Sequence, residues 1–181
     1  TILVQAVDDS GFPPALFEAL ARARAEGRAF AIAANLAEGS SREGEEGDFL
    51  LRIDPPLRLM LVGAVHISQA LAPLAARLGH QVRIVDPRGL FASGPRFAGL
   101  EVDPRWPDEA LADWRPDAAS AIVCLTHDPK LDDAALAVAL RSPAYYLAAL
   151  GSRRTHGLRL ERLAAMGFAT ADLARIHGPA G

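Results

Sequence analysis

Four short stretches hold most of the groups able to do chemistry: GAVHIS (63–68), DPRGLF (86–91), THDPKLDD (126–133) and GSRRTH (151–156). THDPKLDD sets Thr126, His127, Asp128, Lys130, Asp132 and Asp133 close together, directly after the apolar run AIVCL. A turn needs only one or two such residues. The density points instead to a binding site, or to acid–base work by His127 or Asp128. GSRRTH brings Gly151, Ser152, Arg153, Arg154, Thr155 and His156 to the start of a helical pattern. Backbone N–H groups at a helix N-terminus attract anions, and two guanidiniums beside them strengthen that preference. The stretch reads as a phosphate or carboxylate site, with a solvated basic cap as the alternative.

GAVHIS is an incomplete match to the dinucleotide fingerprint G-x-G-x-x-G. Gly63 is in place, but Val65 and Ser68 stand where the later glycines belong. Asp86 follows Gly63 by 23 residues, where a ribose-binding acid would fall. A β-branched Val65 obstructs the backbone approach to a pyrophosphate, so NAD(P) stays the second choice of ligand. Arg88 either neutralises a phosphate or pairs with Asp86 in a solvated turn. His66 is either a ligand contact or a solvent-facing residue at a helix start. Histidine beside carboxylates also suits a divalent cation, but there is no CxxC, HExxH or calcium-loop spacing, and no metal site is expected. Cys124 lies inside an apolar run and reads as a small buried hydrophobe. Tyr145 and Tyr146 read as core and face residues of a strand. Near the end, LARIHGPAG adds Arg175 and His177 ahead of a Gly-Pro turn.

The elements that must position these groups alternate from residue 58 onward. RLMLV (58–62), QVRIV (81–85), AIVCL (121–125) and AYYLAAL (144–150) are strand candidates. ISQALAPLAARLG (67–79), DDAALAVALR (132–141) and THGLRLERLAAMG (155–167) have helical spacing, with Asp132 and Thr155 as expected N-caps. Pro73 interrupts the first of these helices. Residues 91–110 read as irregular, with one short strand and a turn. Short apolar strands alternating with helices predict a doubly wound, mainly parallel α/β sheet. Ligands of such sheets sit beyond the carboxyl ends of the strands, which is where all four polar stretches fall.

Residues 1–57 read differently, as a partial β-rich or α+β segment ahead of a 58–181 domain. ILVQAV (2–7), AFAIAANL (29–36) and FLLRI (49–53) are its strand candidates, PPALFEALARARAEG (13–27) its helix, and AEGSSREGEEGD (37–48) a polar hairpin or loop. Composition bounds the functional classes. Half of the 181 residues are hydrophobic and the net charge is −3, which suits a globular core and argues against general binding to nucleic acid or anionic membranes. No apolar run approaches the ~18 residues of a membrane helix. One cysteine excludes an internal disulfide framework. The chain opens on Thr1 rather than methionine, as an excised piece would, and the expected compartment is the cytoplasm.

LVGAVHISQALAPLAARLGHQVRIVDPR, LTHDPKLDDAAL, ALGSRRTHGLRLERLAAMG and LARIHGPAG, in this order and spacing, resemble the C-terminal Rossmann-type domain of the XdhC/CoxI family over about residues 57–181. The resemblance implies a maturation factor for xanthine dehydrogenase and related molybdenum hydroxylases. Such a factor binds molybdenum cofactor (molybdopterin) as cargo, assists its sulfuration and inserts it into the client, and is not itself an enzyme. It implies a hydroxylase client, with a cysteine desulfurase as a further partner; a homodimer is a separate expectation that the sequence does not decide. Carried over by motif, the cofactor-binding positions are Gly63, His66, Asp86, Arg88, Thr126, His127, Asp128, Lys130, Asp132, Asp133, Gly151 to His156, Arg175 and His177. Val65 departs from the glycine that many members carry. Two alternatives remain: an NAD(P)-dependent oxidoreductase, which Gly63 and Asp86 would serve, and a protein-interaction module without a working ligand site.

Overall fold

The computed structural model describes residues 2–89, 97 and 102–180. The chain divides into two compact units, Thr1–Pro55 and Pro56–Gly181.

In the first unit, α1 (Ala15–Ala25) packs on a sheet of β1 (Phe30–Asn35), β2 (Ser40–Glu43) and β3 (Phe49–Ile53), all antiparallel in the order β2-β1-β3. Leu16 and Ala23 of the helix meet Phe30 and Ile32 of the central strand. Residues 2–7 are not the expected strand. The Asp8 carboxylate accepts the N–H groups of Ser10 and Gly11, and the Phe12 N–H bonds back to the Ala6 carbonyl. These local bonds fold the segment into a loop despite its apolar composition.

The second unit carries β4 (Arg58–Val62), α2 (His66–Arg77), β5 (Gln81–Val85), β6 (Val102–Asp103), α3 (Pro107–Trp114), β7 (Ser120–Cys124), α4 (Pro129–Leu140), β8 (Tyr146–Ala149), α5 (Arg153–Ala165), α6 (Thr170–Leu173) and β9 (Ile176–His177). The strands form one parallel sheet in the order β6-β5-β4-β7-β8-β9. Counted from β4 this is 3-2-1-4-5-6, the doubly wound order expected, and it reverses direction between β4 and β7.

Strand residues alternate between two apolar layers. Met60, Val62, Ile122, Cys124, Leu147 and Ala149 face Leu111, Leu136, Leu140 and Leu163 from α3, α4 and α5. On the other side Leu59, Leu61 and Ala121 meet Ala72 and Ala75 of α2. Both layers therefore fix the same strand ends, and so the loops that leave them.

Of the stretch expected to be irregular, residues 91–96 and 98–101 lie outside the described residues. Within the rest, 107–114 is a helix, with Pro107 at its start and Asp108 and Glu109 in its first turn. These are the usual helix-opening residues, and the irregular reading passed over them. Two caps also move. The α4 cap is Asp128, whose carboxylate accepts the Lys130 N–H at 2.9 Å, and Asp132 lies buried one turn further in. The α5 cap is Ser152, whose hydroxyl accepts the Thr155 N–H at 3.1 Å. Pro73 lies in the interior of α2.

Candidate functional site

All six strands run parallel, so the loops after β4, β5, β7 and β8 leave from one rim of the sheet. The β4 and β7 loops meet at the strand-order reversal. Gly63 has φ 117°, and a Cβ there would stand 2.9 Å from Thr126 Cγ2 and 3.4 Å from the Thr126 nitrogen. Only glycine combines that backbone angle with that approach. The next residues close the loop on itself. Ser68, fully buried, accepts the Val65 N–H at 2.8 Å and donates to the Val65 carbonyl at 2.7 Å. The serine in the third fingerprint position thus caps α2, Val65 packs against the α2-side core, and His66 is exposed.

Asp86 is fully buried. One carboxylate oxygen accepts the Ala64 N–H at 2.8 Å, and Arg88 binds both oxygens through Nε and a terminal nitrogen at 2.9 and 2.8 Å. Burial works against the carboxylate charge, but the Arg88 and backbone hydrogen bonds outweigh it and hold the Asp86 pKa below its ordinary value. Both oxygens are engaged within the loop pair, so Asp86 braces the β4 turn. The Asp86 hydrogen bonds are also the first cause holding Arg88 protonated. The charges of Asp128 and Asp132 add to it, which brings the β5 and β7 loops within electrostatic reach of each other.

In the β7 loop, Thr126 donates its hydroxyl to Asp132 Oδ1 at 2.6 Å and accepts the Asp128 N–H at 3.0 Å. Burial pushes the Asp132 pKa up, against the Thr126 hydrogen bond and the charge of Arg159. Asp133, buried, is held by two hydrogen bonds from Arg162. His127 sits at the exposed tip with φ 61°, in the left-handed region that few non-glycine residues adopt. Lys130 is exposed beside it. Thr126, Asp128, Asp132 and Asp133 therefore build the loop, and His127 and Lys130 project from it.

The β8 loop passes through Gly151 to exposed Ser152, Arg153 and Arg154 at the α5 N-terminus. Ser152 and Thr155 share a hydroxyl hydrogen bond of 2.9 Å. Neither arginine makes a hydrogen bond or ion pair among the described residues. His156 turns inward instead, and Gly178 lies against its ring, where a Cβ would come within 2.2 Å of Nδ1. Burial, then the nearby Arg159 charge, lowers the His156 pKa.

Arg175 is not brought to this rim, and His177, at the carboxyl end of β9, lays its ring over the sheet face. Arg175 precedes β9, and its guanidinium donates to the carbonyls of Leu140, Ser142 and Ala144 at 2.8, 2.8 and 3.0 Å, at the opposite end of the sheet. His177 pairs in register with Ala148 and stacks on the Tyr146 ring at 4.8 Å. Cys124 is fully buried. Burial first, then the Asp132 charge, pushes its thiol pKa well above the ordinary value, and it packs as a small buried side chain. Among the described residues no group of three His, Cys, Asp or Glu is placed to hold a metal ion. A cleft of about 510 Å³ in this unit, lined by Leu59, Leu74, Leu78 and Tyr145, carries no Asp, Glu, Lys or Arg. It does not compete with the rim for an anionic ligand.

Sequence reasoning passed over Arg159. It is 2% exposed and donates to the Leu150 carbonyl at 3.0 Å, with Asp132 Oδ2 at 3.6 Å and Asp133 Oδ1 at 3.9 Å. Its signal was its phase: it falls one helical turn before buried Leu163 on α5, a charged residue on the apolar stripe.

A family model described as the XdhC Rossmann domain matches residues 59–181. The chain is 33% identical over 127 residues to the molybdenum cofactor insertion chaperone PaoD of Escherichia coli (strain K12), covering 70% of this chain and 34% of that protein. It is 32% identical over 131 residues to the uncharacterized protein YqeB of the same organism, covering 68% of this chain and 23% of that one. The chain thus spans about a third or less of the length of these curated relatives. A crystal structure described as a xanthine dehydrogenase from Bacillus halodurans superposes with a TM-score of 0.61 at 17% identity, covering 81% of this chain and 54% of that one. That likeness supports the fold. No helix among the described residues is long and apolar enough to cross a membrane. Through its Rossmann domain, the chain belongs to the XdhC family.

Proposed function

We propose that this chain is a cofactor-handling module that binds molybdenum cofactor at the strand-end rim and passes it to a molybdenum hydroxylase of the xanthine dehydrogenase type. The observation that carries the reading is the set of groups the rim leaves uncommitted. Arg153 and Arg154 stand at the α5 N-terminus, and His127 and Lys130 project from the neighbouring β7 loop. Cations at a helix start suit the terminal phosphate of the cofactor. His127 and Lys130 suit the polar edge of the pterin. The chaperone described for PaoD supports the same assignment. Assistance to sulfuration with a cysteine desulfurase, a homodimer and a cytoplasmic setting belong to the same proposal. So does a boundary near residue 57 between a partial N-terminal segment and the cofactor-binding domain.

Anaerobic titration of the chain with molybdenum cofactor tests it. Saturable binding is expected, weakened at least about tenfold by Arg153→Ala/Arg154→Ala. Absence of binding by the unaltered chain, or saturable binding of NADPH that the same variant weakens, overturns it.

A further inference from the structure

Arg159 carries a permanent charge into the buried interior of the domain, where it is loosely paired. Arg159 Nε and one of its terminal nitrogens have no hydrogen-bond partner among the described residues, and neither has Asp132 Oδ2. At 3.6 and 3.9 Å its contacts with Asp132 and Asp133 lie beyond hydrogen-bond distance. Its hydrogen bond goes to the Leu150 carbonyl at the end of β8. Asp133 is meanwhile hydrogen-bonded to Arg162. Well-packed apolar residues commonly replace a buried ion pair without loss of stability, so stability alone gives no reason for this arrangement.

Its connections give one. On one side the guanidinium holds Leu150, the residue before Gly151 and the α5 N-terminus. On the other its charge balances Asp132, whose second oxygen holds the Thr126 hydroxyl, which in turn takes the Asp128 N–H. The groups packed around it are Asp132 and Asp133 from α4, and His156 and Arg162 from α5, with Cys124 of β7 nearby.

We propose that Arg159 is a positioning residue that sets the spacing between the β7 and β8 loops, so that His127 and Lys130 act together with Arg153 and Arg154 on one ligand. The proposal rests on the strand-end reading of function. A ligand that spans both loops depends on Arg159, whereas one that needs only the α5 N-terminus does not.

The test compares two probes on the full chain, molybdenum cofactor and inorganic phosphate. The working variant is Arg159→Met/Asp132→Asn, which removes both buried charges and keeps an acceptor for Thr126. Expected are a cooperative melt, unchanged phosphate affinity and cofactor affinity lowered about tenfold. Arg159→Lys keeps the charge but has no fork to bridge both loops. It is expected to lose cofactor affinity several-fold with phosphate affinity unchanged, and it decides the matter if the double variant fails to fold. Cofactor affinity equal to that of the unaltered chain, or parallel loss of both probes, overturns the positioning role while leaving the strand-end reading intact. If the unaltered chain binds no cofactor, the strand-end reading falls and this proposal falls with it.

Discussion

The two rims of the parallel sheet both carry arginines, and treat them in opposite ways. At the amino rim, Arg58 donates to Asp117 and to the carbonyls of Trp114 and Arg115, with its guanidinium 4.2 Å over the Trp114 ring. Arg175 donates to three carbonyls at the same end. At the carboxyl rim, Arg88 and Arg159 are turned inward onto the protein, while Arg153 and Arg154 are left outside. Helix C-termini at the amino rim present unpaired carbonyls that an arginine can satisfy. Helix N-termini at the other rim present N–H groups, which an arginine cannot satisfy. An arginine placed there is available to an anion.

Substitutions can break this contrast, and the largest effect is expected at the amino rim. Arg175→Met removes three charge-assisted hydrogen bonds from half-buried carbonyls. It should lower unfolding free energy by about 3 kcal/mol, measured by urea denaturation, with cofactor affinity unchanged. Asp86→Asn should cost about 2–3 kcal/mol, and it also carries a pH signature. The folded Asp86 pKa is depressed, so its contribution is present above the ordinary aspartate value of about 3.9 and is lost as pH falls through the lower folded value. The variant should therefore show a shallower acid limb.

Asp132 has the opposite sign. Its folded pKa is raised, so stability should fall as pH rises from about 3.9 towards that folded value. Asp132→Asn should flatten this segment, by about 1 kcal/mol or less, in stability curves measured across mildly acidic pH. The smallest effect sharpens the comparison most. Arg153→Ala/Arg154→Ala should leave the melting temperature within about 2 °C of the unaltered chain while weakening the cofactor. A large loss of stability there would mean that these arginines are structural, like those of the amino rim.

The sheet was legible because its strands are short apolar runs separated by helical spacing, and a parallel order follows from that alternation. The rim was legible for the same reason, since polar residues gathered where strands end. What each polar residue does there was not. Asp86, Asp132 and Thr155 have the types expected of ligand contacts or caps, yet burial turns the two acids into internal braces, and Ser152 takes the cap. Residue type marks a candidate, and only packing shows whether its lone pairs are already engaged. Arg175 misled for a related reason. It precedes the last strand rather than following it, so it belongs to the other rim. The loop at residues 2–12 depends on a single Asp8 side chain competing with strand pairing, a local choice that apolar composition does not record.

The deep burial of Cys124 makes it a built-in clock. Its sulfur is sealed between β7 and α4 and kept in the thiol form, so an alkylating reagent reaches it only when that part of the sheet opens. The rate of labelling then measures opening of the β7 region directly, and a ligand that ties the strand-end loops together would be seen as a slower reaction at a position it never touches.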